Sequence, residues 1–313
     1  MNNPRSRRNL RRPEVAARLR QLLGDRGEVA DAATPQELAR ALERFRKAGI
    51  SVLGVSGGDG TGHRVLTALV ESWAGAPLPR LALLRGGSMN TVARANGVRG
   101  SPESVLASLL VRERTGIPHP TVERELLRVE ADGAAPGYGF LFVSGCAATF
   151  LDAYYDSGHP SPWTAAWLLA RAAASALVGG PFARRLARRD PIRVVADGEE
   201  WPGEAYLGVA AGTVPELGLG FRTFGRCAEQ PGFFHAVGVT GSPAAVAAAL
   251  PRLRLGKPWR RRLAFDAVVR DLELELPAPM RFTVDGDLYR AERAVRVRTG
   301  PPVQIVVDRP PPR

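Results

Sequence analysis

Residues 50–96 read ISVLGVSGGDGTGHRVLTALVESWAGAPLPRLALLRGGSMNTVARAN, and this stretch decides the fold. Residues 50–55 are a short apolar run of buried-strand type. Ser56-Gly57-Gly58-Asp59-Gly60-Thr61 follows at once, and glycine lets backbone approach a ligand with no Cβ in the way. Residues 63–73 then carry Val65, Leu66, Leu69, Val70 and Trp73 at helical spacing. A second strand and a second small-residue turn complete the stretch. Strand, glycine turn and helix start together aim backbone N–H groups and a positive dipole end at one point, a geometry suited to phosphate. Asp59 would repel a bare phosphate, but it suits a magnesium–phosphate complex or a hydroxyl to be oriented. Neither the Walker spacing nor GxGxxG is present, and a glycine turn alone usually does no more than reverse the chain.

The 313 residues allow two domains of ordinary size, and 45% hydrophobic with 24% charged residues is a globular composition. The formal net charge is +12, almost all of it from arginine, since Lys47 and Lys257 are the only lysines. Such a surface attracts nucleic acid, anionic lipid or phosphorylated ligands. No aromatic RNA-binding pattern, zinc-finger spacing or basic heptad points to nucleic acid, so none is expected as a partner. Cys146 and Cys227 are far apart, without metal spacing, and imply neither a disulfide framework nor a zinc site. No apolar core follows the basic N-terminus, so no signal peptide is read. The longest apolar region, residues 163–180, is broken by Arg171. A central charge costs roughly 2.5–3.5 kcal/mol on insertion, which argues against a membrane span. The expected location is cytoplasmic.

Along the chain, residues 14–23 have helical spacing and residues 29–33 suit a short strand. Thr34-Pro35-Gln36-Glu37 opens another helix as a capping box, with Leu38, Leu42 and Phe45 on its inner stripe. Residues 102–114 form a further helix capped by Ser101. Residues 1–120 therefore read as an α/β domain with a parallel sheet, whose ligands sit beyond the carboxyl ends of the strands. From about residue 121 short strands dominate: 126–130, 138–143, 192–196, 205–211, 234–240, 265–270, 272–276, 281–284, 294–298 and 303–307. This is a β-sandwich pattern. Two helical insertions, residues 162–189 and 243–255, combine apolar faces with arginine runs, as core-covering helices or as helices lying on an anionic membrane. Phe282-Thr283-Val284-Asp285-Gly286-Asp287 reads as a hairpin turn. The four histidines, His63, His119, His159 and His235, show no ligand spacing, and His63 reads as loop surface beside the glycine turn.

Gly57-Gly58-Asp59-Gly60-Thr61 resembles the GGDGT signature of the diacylglycerol kinase catalytic domain family, which includes sphingosine and bacterial lipid kinases and is related to NAD kinases. Gly87-Ser88-Met89-Asn90-Thr91-Val92-Ala93-Arg94 resembles its second nucleotide loop, GTGNDFAR. Asn3-Pro4-Arg5-Ser6 is similar to its first phosphate-side motif, NPxSG, though only Met1 and Asn2 stand where the family has a full strand. The resemblance implies an ATP-dependent kinase acting on a lipid hydroxyl. Its second domain is β-rich, with the last strand, in residues 301–313, returning to the first domain. ATP with Mg²⁺ would lie on Gly57, Gly58, Gly60, Thr61, Ser88 and Asn90, with Thr34 touching the nucleotide and Asp59 orienting the metal through water. Asp285-Gly286-Asp287 matches the family's DGE element, so Asp285 or Asp287 would take the proton of the lipid hydroxyl. Peripheral contact with the inner membrane face is implied. There are departures too. Pro231 stands at the place of a metal-associated aspartate, with Glu229 two residues out of step, and the second Mg²⁺ site is expected to be absent. Ala210-Ala211-Gly212 lacks the usual asparagine, Met89 replaces a small residue and Thr91 an aspartate. An NAD kinase-like phosphotransferase, or a nucleotide- or lipid-binding protein with little activity, are the alternatives.

Overall fold

The computed structural model describes residues 1–308 apart from Ala74, His159 and Pro160, with the backbone alone for Leu177 and Arg185. His159 and the end of the C-terminal tail thus lie outside the described residues. Contacts divide the chain into two compact units, Met1–Arg124 with Pro301–Arg313, and Glu125–Gly300.

The first unit holds helices α1 (Arg7–Arg11), α2 (Glu14–Leu23) and α3 (Pro35–Lys47), strand β1 (Val52–Val55), helix α4 (Asp59–Trp73), strand β2 (Arg80–Leu83), and helices α5 (Thr91–Ala95) and α6 (Pro102–Thr115). β1 and β2 run parallel, Leu53 beside Leu81 and Val55 beside Leu83. Parallel pairing continues on both sides. Asn2 bridges Ser56 and Asp31, and Ile305 of the strand Ala294–Val306 pairs with Leu81. Leu53, Val55, Leu81 and Leu83 are buried, as strands covered on both faces require. Helix α3 starts as its sequence dictates: the Thr34 hydroxyl accepts from Glu37 N at 3.2 Å while the Glu37 carboxylate accepts from Thr34 N at 3.1 Å. Such a reciprocal cap contributes about 1 kcal/mol. Leu38, Ala41, Leu42 and Phe45 form the buried stripe.

Two features of this unit go beyond the sequence pattern. Where only Met1 and Asn2 precede the Asn3-Pro4-Arg5-Ser6 motif, Asn2 takes a rung of the sheet, and α1 follows. Helix α4 starts at Asp59, inside the glycine turn, so His63 lies within the helix and is buried at 2% exposure rather than on a loop surface.

The second unit follows a different grammar. Strand β3 (Thr121–Ala131) leads into it. Then come β4 (Gly137–Gly139), β5 (Leu141–Ser144), α7 (Cys146–Asp156), α8 (Pro162–Leu177), α9 (Pro181–Leu186), β6 (Arg193–Ala196), β7 (Glu199–Glu200), β8 (Gly208–Gly212) and β9 (Phe234–Val239). After them stand α10 (Pro243–Arg254), β10 (Ala264–Val269), β11 (Asp271–Glu275), β12 (Met280–Val284), β13 (Asp287–Ala291) and β14 (Ala294–Val306). One sheet is antiparallel in the order β10-β9-β8-β5-β12-β13. The other is built on β14, β11, β6 and β7, also antiparallel, with β3 beside β14 and β4 beside β3. Phe142, Val209, Phe234 and Phe282 from the first sheet close on Val194, Leu272, Leu274, Val295 and Val297 from the second. Burying each such side chain stabilises the unit by roughly 1.5–3 kcal/mol. β11 shows the alternation its sequence predicts, Leu272 and Leu274 fully buried and Glu275 exposed on the water face. The protein is thus an α/β domain with a parallel sheet joined to a β-sandwich domain.

The single strand expected at residues 138–143 is broken at Phe140, whose N–H, like that of Leu141, goes to the Asp285 carboxylate. The two expected final strands are one, β14. α7 replaces what had no assigned structure, and the insertion at 162–189 splits into α8 and α9.

Candidate active site

Three segments of the first unit converge beyond the end of β1. The Asn3 amide donates to the Thr61 hydroxyl at 2.8 Å, and the Ser6 hydroxyl to Gly86 O at 3.2 Å. Asn9 stitches the same corner, its amide donating to Asn3 O at 2.9 Å and to Ser56 O at 3.2 Å. The Asn3-Pro4-Arg5-Ser6 motif therefore sits against both glycine loops.

The loops also touch each other directly. A Cβ on Gly87 would lie 2.2 Å from Gly58 Cα, and one on Gly58 would lie 3.1 Å from Gly87 Cα. No side chain fits at Gly87, so glycine is required there by loop-to-loop contact. Asn90 closes the second loop on itself, accepting from Gly87 N at 2.9 Å and donating to Gly87 O at 2.8 Å, with its own backbone left-handed at φ 50°. Asparagine tolerates that conformation better than other non-glycine residues. Its side chain is buried in its own loop, so Asn90 shapes the loop instead of reaching out.

Asp59 joins the two loops chemically. Its carboxylate accepts from Thr91 N at 2.9 Å and from Val92 N at 3.0 Å, and so caps α5 from the first turn of α4. Burial raises its pKa, against the pull of those N–H groups and of Arg94. Gly57, Gly60 and Thr61 lie in the turn or in the first turn of α4. There the leading N–H groups of an α-helix lack intrahelical acceptors. Ser88 and Met89 are half-buried. Thr34 is occupied by its capping box, and no hydrogen bond ties it to the loops among the described residues. Arg5, however, is close enough to the start of α3 to help hold the Glu37 carboxyl below its ordinary range, after the Ala33 and Thr34 N–H groups.

Three arginines that the sequence reading passed over surround the second loop. Burial and the nearby charges of Arg94 and Arg8 lower the pKa of Arg85. Its Nε is buried with no hydrogen-bond partner in the structure, while Arg8 reaches back to Arg85 O at 3.4 Å. Arg85 Nη1 donates to Gly100 O at 3.2 Å, and Asp308 offsets part of the crowding; an excess of cations beside glycine loops favours an anion there. The signal was present in the sequence, as Arg85 immediately before Gly86-Gly87 and Arg94 at the end of the motif, but it was lost among so many arginines.

In the second unit, Asp285 and Gly286 form a two-residue hairpin between β12 and β13, both with positive φ, 47° and 89°. This is the turn that Asp-Gly favours. Asp285 is buried and its carboxylate accepts from Phe140 N at 3.1 Å and Leu141 N at 2.9 Å. It fixes the hairpin to β5 through these two bonds. Asp287, two residues on, is half-buried. Helix α7 braces this hairpin: the Tyr155 hydroxyl donates to Gly286 O at 2.9 Å, and Asp152 pairs with Arg281 at 2.6 Å.

The turn at Pro231 has its own arrangement. Gly232 N donates to Glu125 at 2.6 Å, and Thr299 donates to Gly232 O at 2.9 Å. Glu229 points away into a pair with Arg226 at 3.0 Å and does not replace the acid missing at Pro231. Among the described residues no group of three or more His, Cys, Asp or Glu is placed to hold a metal. His235 is buried 3.5 Å from Asp266, and the Cys146 thiol is pushed up to about 11 by burial, so it is inert as a nucleophile.

Residues 1–118 match the family model described as "Diacylglycerol kinase catalytic domain". No curated protein matches the chain. Among solved structures, a diacylglycerol kinase from Bacillus anthracis is similar at a TM-score of 0.64 and 14% identity, over 98% of this chain and 94% of that one. A second structure from that organism, assigned as a diacylglycerol kinase, has a TM-score of 0.66 at 13% identity, over 98% and 95%. At these identities the likeness is one of fold; the kinase-domain match rests on the first 118 residues.

Proposed function

We propose that this chain is an ATP-dependent lipid kinase that moves the γ-phosphate of ATP to the hydroxyl of a diacylglycerol-like or sphingoid-like lipid. The observation that carries the nucleotide half is the joined pair of loops with Arg8, Arg85 and Arg94 close to one another beside the second. A polyphosphate there relieves the mutual repulsion of the three cations and gives the buried Arg85 Nε an acceptor. The N-terminus of α4 adds donor N–H groups, and Thr61 and Ser88 add hydroxyls. Magnesium arriving with the nucleotide would supply charge neutralisation on the phosphates. Asp59 fits such an ion through a metal-held water, because each of its oxygens takes one N–H of α5 and keeps acceptor capacity.

Phosphoryl transfer depends mainly on positioning and charge neutralisation, and removal of the acceptor's proton contributes about 10²–10⁴-fold. That proton goes to Asp287. Asp285 is a positioning residue, since its carboxylate is already bound to the backbone of β5 and its approach. The lipid half of the proposal rests on the kinase-domain match and on the Asp285-Gly286-Asp287 element.

The test is transfer from ATP labelled at the γ-phosphate to diacylglycerol, a sphingoid base, a long-chain isoprenoid alcohol and NAD. Label on any of the lipids is the expected result. Label on NAD alone would make the chain an NAD kinase-like enzyme, and ATP binding without transfer to any acceptor would make it a binding protein.

A further inference from the structure

The outer face of α8 is apolar where a helix in water should be polar. Its inner side is set by Ala165 and Leu168, which are buried, and it packs against α7, α9 and α10. On the other side Trp163 is 85% exposed and Trp167 60%, with Ala166, Ala170, Arg171 and Ala174 exposed at the same helical spacing. Just beyond the helix Val178 is 82% exposed, and after α10 Leu255 is 73% exposed. Arg171 lies over the Trp167 ring at 5.4 Å and the Phe182 ring at 5.3 Å, which seats its charge at the border of the apolar face.

The two segments that build this face are basic, with acids only beyond them, at Asp152 and Asp156 of α7 and at Asp190, which pairs with Arg188 at 3.8 Å. Residues 157–189 contain five arginines and no acid, and residues 241–263, which include α10, contain five arginines and one lysine and no acid. A second copy of the chain docked face to face would set like charge on like charge. Nucleic acid would use the arginines but leave both tryptophans in water. An anionic bilayer satisfies both features, because tryptophan favours the headgroup level and basic side chains the negative leaflet surface. No helix among the described residues is long and apolar enough to cross a membrane.

We propose that the outer face of α8, with Trp163 and Trp167 as its anchors and Arg171, Arg184, Arg188, Arg189 and the arginines of residues 252–262 around it, docks on the surface of an anionic lipid bilayer. The docking has a consequence that rests on the lipid-kinase reading. α7 packs against α8 and carries Tyr155 and Asp152 to the hairpin before Asp287. The face that meets the bilayer and the proposed base are thus braced by one helix within one unit.

The experiment is co-sedimentation of the full chain, without nucleotide, with vesicles of phosphatidylcholine alone and of phosphatidylcholine mixed with phosphatidylglycerol. Binding to the mixed vesicles is expected to be tighter by about tenfold or more. Trp163→Ala with Trp167→Ala should weaken it by about tenfold. Arg188→Glu with Arg189→Glu should remove most of the preference for anionic lipid. All four positions are exposed, and an unchanged melting temperature and circular dichroism spectrum verify the fold. Wild type that stays in the supernatant, or tryptophan variants that bind like wild type, would overturn the proposal. So would a dimer in sedimentation velocity that the tryptophan variant dissolves. Vesicle binding that depends on Trp163 and Trp167 supports the docking even when no acceptor is phosphorylated, so docking and kinase activity fail separately.

Discussion

Asp59 is the residue on which the two loops of the first unit depend. Its raised pKa has a definite sign: this group favours the folded state below its ordinary value of 3.8, and that contribution is lost as pH rises through the higher folded value. At neutral pH the partly buried carboxylate is a cost offset by two N–H bonds. Asp59→Asn removes the charge but turns an amide donor toward Thr91 or Val92 N–H. The variant should be less stable by about 1 kcal/mol in urea unfolding, with a larger deficit in acid than at neutral pH. Arg85→Ala should weaken ATP binding by about 10–100-fold, the range of a charge-assisted hydrogen bond, as read by calorimetry. Thr34→Ala separates capping from ligand contact: about 1 kcal/mol of stability lost with ATP affinity unchanged is expected. Weaker ATP binding at unaltered stability would return Thr34 to the site. At this scale the sequence shows which residue types matter and hides their partners. Asp59 is conspicuous in its turn, but its acceptor role depends on N–H groups that lie 32 and 33 residues on.

The elements were legible where periodicity or capping is local and lost where tertiary contact decides. α3, β11 and the β12–β13 turn follow from a capping box, an alternation and an Asp-Gly pair. The early start of α4 does not, since Gly58 and Gly60 read as turn; the two bonds that hold Asp59 come from the next loop. β13 was missed because Leu288, Tyr289 and Arg290 are all exposed and leave no buried alternation to read. The break between β4 and β5 is invisible in sequence, because it is made by an acid 145 residues away in the chain. α7 carried no clear signal and proves to brace the hairpin that bears the proposed base. Tyr155→Phe removes the bond to Gly286 O. It should lower kcat about fivefold, for roughly 1 kcal/mol, with the KM for ATP and the pH profile unchanged. A shifted pH profile would mean that Tyr155 acts on the proton itself.

At the scale of the whole molecule, the change of grammar near residue 121 separates an α/β unit from a β-sandwich, and β14 runs from one into the other. The net charge of +12 is legible from composition, but its gathering around α8 and α10 needs the packing of the two helices. The central claim is phosphoryl transfer with Asp287 as the acceptor of the lipid's proton. It is tested most directly by the turnover of labelled ATP with a saturating lipid acceptor, in wild type and in Asp287→Ala. Lipid phosphate formed by wild type, with kcat lowered about 10²–10⁴-fold in the variant and ATP binding intact, is the predicted result. Equal turnover in the two proteins, or no lipid phosphate from wild type, would contradict it.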